Sequence, residues 1–151
     1  MKEFIIDKNV DVNPLDAEHP KYFFDDLRKS KKIRIVSGGT NYKKEIISKK
    51  ALRTLFAELL SAGKIRSVSN ESVDRHETDL MSRIIEVMKS CPQECDDPHI
   101  VALAHVSGCL NIVTKDKRMS AWRDKVRKQI GHDYCPELRL IMTEAAYKDT
   151  L

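Results

Sequence analysis

The stretch Asp97-Pro98-His99-Ile100-Val101-Ala102-Leu103-Ala104-His105-Val106-Ser107-Gly108-Cys109-Leu110-Asn111-Ile112-Val113-Thr114-Lys115-Asp116 decides the fold. Its first two residues are a helix start, with Asp at the N-cap and Pro at the first helical position. The helix runs through Ile100, Val101, Leu103 and Ala104 and closes at Ser107-Gly108. Leu110 to Thr114 follows as an apolar strand, and an acid, Asp116, stands just past its end. A helix feeding directly into an apolar strand is one half of an α/β unit.

Upstream, the same alternation repeats. Phe4-Ile5-Ile6 is a short apolar run ending in Asp7, and His19 to Ser30 carries Tyr22, Phe23 and Leu27 at helical spacing. Ile33-Arg34-Ile35-Val36 is strand-like, and Ser37-Gly38-Gly39-Thr40 stops it. One long helical pattern then runs from Tyr42 to Leu60, with Ala62-Gly63 as its stop. Ile65 to Val68 is a third strand. Ser72 to Lys89 is a helix with Val73, Leu80, Met81, Ile84, Ile85 and Met88 on one face, and Pro92 breaks the chain. Downstream, Ser120 to Ile130 reads as a basic helix and Leu138 to Met142 as a last strand. Strands alternating with helices predict an α/β fold, a three-layer α/β/α sandwich around a central, mostly parallel sheet. Such a sheet holds its functional crevice beyond the carboxyl ends of its strands.

Length and composition set the class. The 151 residues suit one domain, 1–151, without internal repeat or linker. With 41% hydrophobic and 33% charged residues, disordered, collagen-like and low-complexity classes are excluded. No apolar run approaches a membrane span, and the start is too short in apolar residues for a secretory signal. The four cysteines, Cys91, Cys95, Cys109 and Cys135, are too sparse for a disulfide scaffold and read as reduced thiols in a cytoplasm. The net charge of +4 points weakly to an anionic partner.

Four acids carry the chemistry: Asp7, Glu45, Asp97 and Asp116. Asp7 and Asp116 follow strands, Asp97 opens the helix before the second of these strands, and Glu45 lies in the first or second turn of the helix after Val36-Ser37. If the two strands are neighbours, all four carboxylates converge on one rim. Converging carboxylates repel, and a hard divalent cation removes that cost. A metal held this way activates water against a phosphodiester. Each acid alone has a plainer role: Asp97 as an N-cap, Asp116 as a turn residue, and Glu45 as a solvated helix residue among Lys43, Lys44 and Lys49.

These residues resemble the PIN-domain ribonucleases. The resemblance rests on Ile5-Ile6-Asp7-Lys8-Asn9-Val10, on Val36-Ser37 before Glu45, and on Asp96-Asp97-Pro98-His99-Ile100-Val101-Ala102-Leu103-Ala104 followed by Ile112-Val113-Thr114-Lys115-Asp116. It spans Phe4 to about Met119. It implies a PIN-like α/β/α fold and Mg²⁺- or Mn²⁺-dependent RNA cleavage that leaves a 5′-phosphate. Asp7, Glu45, Asp97 and Asp116 become metal ligands, with Asp96 assisting or replacing Asp97, and Asn9 and Thr114 orient carboxylates by hydrogen bonds. Lys8 stands where a small hydroxyl residue is usual, Asp11 and Asn13 where apolar residues are common, and Gly38-Gly39 where Pro is common. Small bacterial members are often toxins held by an antitoxin protein over the acidic site, and many relatives are homodimers.

RNA needs cations around the rim. Lys43, Lys44, Lys115, Lys117 and Arg118 flank the acids and would bind phosphates without reading sequence. Arg123, Lys125, Arg127 and Lys128 are either a continuation of that surface or a solvated helix face. Trp122 and Tyr42 either stack a base or pack in the protein. Other chemistries are weaker. Cys91, Cys95 and His99 with His132 or Cys135 could hold zinc, but lack two tight pairs. Cys109 with His105 has no orienting group for thiol catalysis. A haloacid-dehalogenase-like phosphatase needs a second Asp two positions after the first, where Asn9 stands. A non-catalytic RNA- or protein-binding module is the remaining alternative, and four intact acids argue against it.

Overall fold

The computed structural model describes residues 1–12, 21–89 and 97–151. Within its helices it does not describe the side chains of Lys21, Met88 and residues 121–123. Five strands, β1 (Lys2–Ile6), β2 (Ile33–Ser37), β3 (Ile65–Ser67), β4 (Asn111–Val113) and β5 (Arg139–Ile141), form one sheet in the order β3-β2-β1-β4-β5. Every pairing is parallel. The strands are short and rich in Ile and Val because both faces are covered, which is what a parallel sheet requires.

The helices are α1 (Lys21–Lys29), α2 (Thr40–Ser48), α3 (Lys50–Ser61), α4 (Asn70–Met88), α5 (Pro98–Ser107), α6 (Arg118–Ile130) and α7 (Glu144–Thr150). Right-handed crossovers in two directions place helices on opposite faces. Contacts sort them so: α1, α3 and α7 lie on one face, α4, α5 and α6 on the other. The chain therefore makes the three-layer α/β/α sandwich that the alternation of elements predicts. Edge-to-face contacts among Phe4, Phe23, Phe24 and Tyr147 weld the first layer to the sheet.

The long helical pattern from Tyr42 to Leu60 is two helices rather than one. Tyr42 and Ile46 form one buried stripe, and Leu52, Leu55 and Leu59 another. Continuing the first stripe at helical spacing would bury Lys49 and Arg53, so the phases cannot belong to one rod. The chain breaks at Lys49, which is extended (φ −102°, ψ 120°). Ser48 Oγ donates to Glu45 O at 2.6 Å and Arg53 Nη1 to Ile47 O at 3.2 Å, which occupies carbonyls the break exposes. As a result α3 covers the sheet while α2 stands at its carboxyl end against α4 and α5.

The start of α2 is set by the glycines that stop β2. Gly39 has φ +91°, and a Cβ there would meet Val73 Cγ1 at 2.6 Å. Only glycine lets α2 approach α4 this closely. The approach is tied by side chains: Asn70 Oδ1 accepts from Gly39 N at 3.0 Å, and Asp74 accepts from Thr40 N at 2.8 Å and Thr40 Oγ1 at 2.6 Å. Asp74 so caps α2 from across the interface. Helix α7 has no counterpart in the sequence reading. It is short, capped by Thr143 Oγ1 accepting from Ala146 N, and buries only Tyr147 and Thr150.

Candidate metal centre

Strand order reverses between β1 and β4, and a crevice opens at such a switch point beyond the strand ends. Asp7 N donates to Val113 O at 2.9 Å, which carries the β1–β4 ladder one residue past the strand. Alternation then places Asp7 on the sheet face that bears Glu3 and Ile5. That face also bears α5. Glu3, at the start of β1, accepts from Arg66, whose Nη2 also donates to Ser107 O at the end of α5. Helix α5 consequently runs against the strands and brings its own start, with Asp97 and His99, to the end where Asp7 sits.

Asp7 is 1% exposed. Its Oδ2 accepts from Thr114 Oγ1 at 2.7 Å, while its Oδ1 is buried with no hydrogen-bond partner. Thr114 Oγ1 in turn accepts from Asp116 N at 2.9 Å, and Asn9 Oδ1 accepts from Lys115 N at 3.1 Å. Thr114 and Asn9 thus tie the end of β4 to the turn after β1, and Thr114 fixes the rotation of the Asp7 carboxylate. Burial raises the Asp7 pKa above the usual carboxylate range. The hydrogen bonds from Thr114 and the Lys8 backbone oppose it, and the charges of Glu45 and Asp116 add to it.

Asp97 occupies the N-cap position of α5, but its side chain makes no cap hydrogen bond. The plain N-cap reading of that carboxylate therefore fails: it turns instead toward the other acids. Burial first, and then the charges of Asp7, Glu45 and Asp116, push its pKa up to about 7, with Lys8 opposing. Glu45, in the second turn of α2, is reached by Lys8 Nζ at 2.8 Å on Oε1 and by His99 Nε2 at 2.6 Å on Oε2. Asp97 Oδ1 lies 3.8 Å from the same His99 nitrogen. Ligand atoms of Glu45, Asp97 and His99 all lie within 4.8 Å of one another, and this trio is the metal-capable cluster among the described residues.

Asp7 and Asp116 stand outside the trio, although their charges act on Asp97. Asp116 Oδ1 accepts from Arg118 N at 3.0 Å and Nε at 3.3 Å, at the start of α6. This is the turn role that the sequence leaves open for it, and the carboxylate serves the site through its charge. Asp96 lies outside the described residues, as do Asn13, Cys91 and Cys95. His99, which the sequence analysis weighs only for zinc, faces the acids. Its place two residues after Asp97, in the first turn of a helix that points at the crevice, is the signal that could have found it. Lys8 was also missed. It is a cation that pairs with Glu45, and that contact raises the Lys8 pKa.

The proposed phosphate contacts divide. Lys44, Lys115, Lys117 and Arg118 are exposed, and Lys43 is half-buried. Lys115 pairs with Asp11, and Arg118 with Asp116. Tyr42 is buried and donates to Ile6 O at 2.8 Å, which leaves its ring no base to stack. The Trp122 and Arg123 side chains lie outside the described ones. Burial pushes the Cys109 thiol up to about 11, and His105 stacks on His76 at 3.9 Å instead of activating it. No described helix is long and apolar enough to cross a membrane. No family model matches the sequence, and no curated protein matches it.

Proposed function

We propose that this protein is a divalent-metal-dependent ribonuclease of the PIN type. One observation carries the reading: Glu45, Asp97 and His99 offer three ligand atoms within 4.8 Å, at a switch point where Asp7 and Asp116 add further negative charge. Two buried atoms there have no hydrogen-bond partner, Asp7 Oδ1 and His99 Nε2. Buried polar atoms left unpaired cost about 1–3 kcal/mol each, and a cation held by the trio would satisfy His99 Nε2. The donor set therefore fits a divalent ion.

Such an ion, once bound, neutralises phosphodiester charge and makes water a nucleophile at neutral pH. The chain's residues supply the rest. Glu45, Asp97 and His99 would hold the ion, Thr114 fixes the rotation of the Asp7 carboxylate beside them, and Asp7 is the carboxylate suited to accept a proton from water. Lys117 and Lys44 draw the RNA backbone to the rim by charge, without base selection.

The test is cleavage of a labelled RNA with Mg²⁺, with Mn²⁺ and with EDTA. Cleavage is expected with metal and abolished by EDTA. Asp7→Asn and Asp116→Asn are expected to lose cleavage and keep the native circular dichroism spectrum. Metal-dependent cleavage surviving in Asp7→Asn at the wild-type rate would overturn the assignment.

A further inference from the structure

The acids of this site do not act alone; an imidazole stands among them, and its surroundings define which nitrogen is offered. His99 is 4% exposed. Its Nε2 lies 2.6 Å from Glu45 Oε2 as an ion-pair contact and is buried without a hydrogen bond. On the other side of the ring, Glu77 Oε1 lies 4.0 Å from Nδ1. Glu77 comes from α4 and is itself held, with Asn41 Nδ2 donating to its two oxygens at 3.1 and 3.0 Å. Glu77 does not hydrogen-bond Nδ1 at that distance, but its charge on the Nδ1 side would support a proton there once an ion occupies Nε2. The Nε2 lone pair then faces Glu45 and Asp97.

Metals differ in how they take a nitrogen donor. Mg²⁺ demands hard oxygen ligands and keeps its waters. First-row transition-metal dications accept imidazole readily, and their affinity rises from Mn²⁺ to Co²⁺ and beyond. We infer that the site takes a first-row transition-metal dication through His99 Nε2, Glu45 and Asp97 in preference to Mg²⁺, with Glu77 and Asn41 as positioning residues. This rests on the metal-binding part of the proposed function and does not depend on RNA being the substrate.

The test is calorimetric titration of the full, metal-free chain with Co²⁺, Mn²⁺ and Mg²⁺. Co²⁺ is expected to bind more than about tenfold tighter than Mg²⁺, with Mn²⁺ between. In His99→Gln that preference should fall to within about threefold while Mg²⁺ affinity holds, since an oxygen donor replaces the nitrogen. Glu77→Gln should weaken Co²⁺ binding by about tenfold, the usual loss when a ligand's orienting partner is removed. X-ray absorption of the wild-type cobalt complex needs no variant and should show imidazole scattering. Oxygen-only scattering, or Mg²⁺ bound as tightly as Co²⁺, overturns this inference and leaves the nuclease proposal standing. No binding of any of the three ions overturns both.

Discussion

Replacing Asp97 by Asn should stabilise the metal-free protein, and by an amount that depends on pH. Burial and the neighbouring acids push this carboxyl from the usual 3.8 up to about 7. The folded state therefore holds the proton more tightly than the unfolded chain does. Below about pH 4 both states are protonated and there is no penalty. As pH rises toward 7, the unfolded chain ionises first, so stability falls, and the full penalty applies above the folded value. With a tenfold change in acidity worth about 1.4 kcal/mol, that penalty comes to about 4 kcal/mol. The side chain is 13% exposed, so solvent screens part of this penalty and about 4 kcal/mol is its upper bound. Asn keeps the shape and has no proton to lose. For a chain of this size, 4 kcal/mol corresponds to about 10 °C in Tm. Calorimetric melts in EDTA should show Asp97→Asn and wild type melting together near pH 4. The variant should melt up to about 10 °C higher near pH 8. Added Co²⁺ or Mn²⁺ should raise the wild type and leave the variant behind, because the ion uses the charge that the apo protein finds costly. A gap that stays constant with pH, or a variant less stable at pH 8, would refute the argument.

Three more perturbations probe the parts around that carboxylate. Lys8→Met removes the cation on Glu45; in EDTA the protein should melt lower, and in calorimetry it should bind Co²⁺ or Mn²⁺ severalfold more tightly. Thr114→Val removes the hydroxyl that donates to Asp7 Oδ2 and strands the Asp116 N–H. It should cost about 3 kcal/mol in urea unfolding, with Thr114→Ser recovering most of it. Gly39→Ala forces a methyl group against Val73 at a φ of +91°. It should cost on the order of 2 kcal/mol, and Val73→Ala in the same chain should relieve the steric part in thermal melts.

Much of the architecture could be read from residue patterns, because the parallel sheet is built from local signals. Ile33 to Val36 and Ile112 to Val113 are apolar runs too short for helices, each bounded by a stop, and α5 is bracketed by Pro98 and Gly108. Where local signals conflicted or were faint, the reading erred. The Tyr42–Leu60 pattern holds two stripes out of phase, and the break at Lys49 follows from what each stripe must cover. Helix α7 has seven residues, too few to show a period.

By itself the sequence determined that acids stand just past two strand ends and at one helix start, since those positions depend only on neighbouring residues. Only the tertiary structure decided which donors meet. Strand order brings Asp7 beside Thr114, and the antiparallel run of α5 delivers Asp97 with His99. The Gly39 contact with α4 brings Glu45 within 2.6 Å of that imidazole. These groups come from parts of the chain dozens of residues apart, and no spacing along it encodes a distance through space. Whether a carboxylate caps a helix or faces a metal is settled by its rotamer, which the packed neighbours choose.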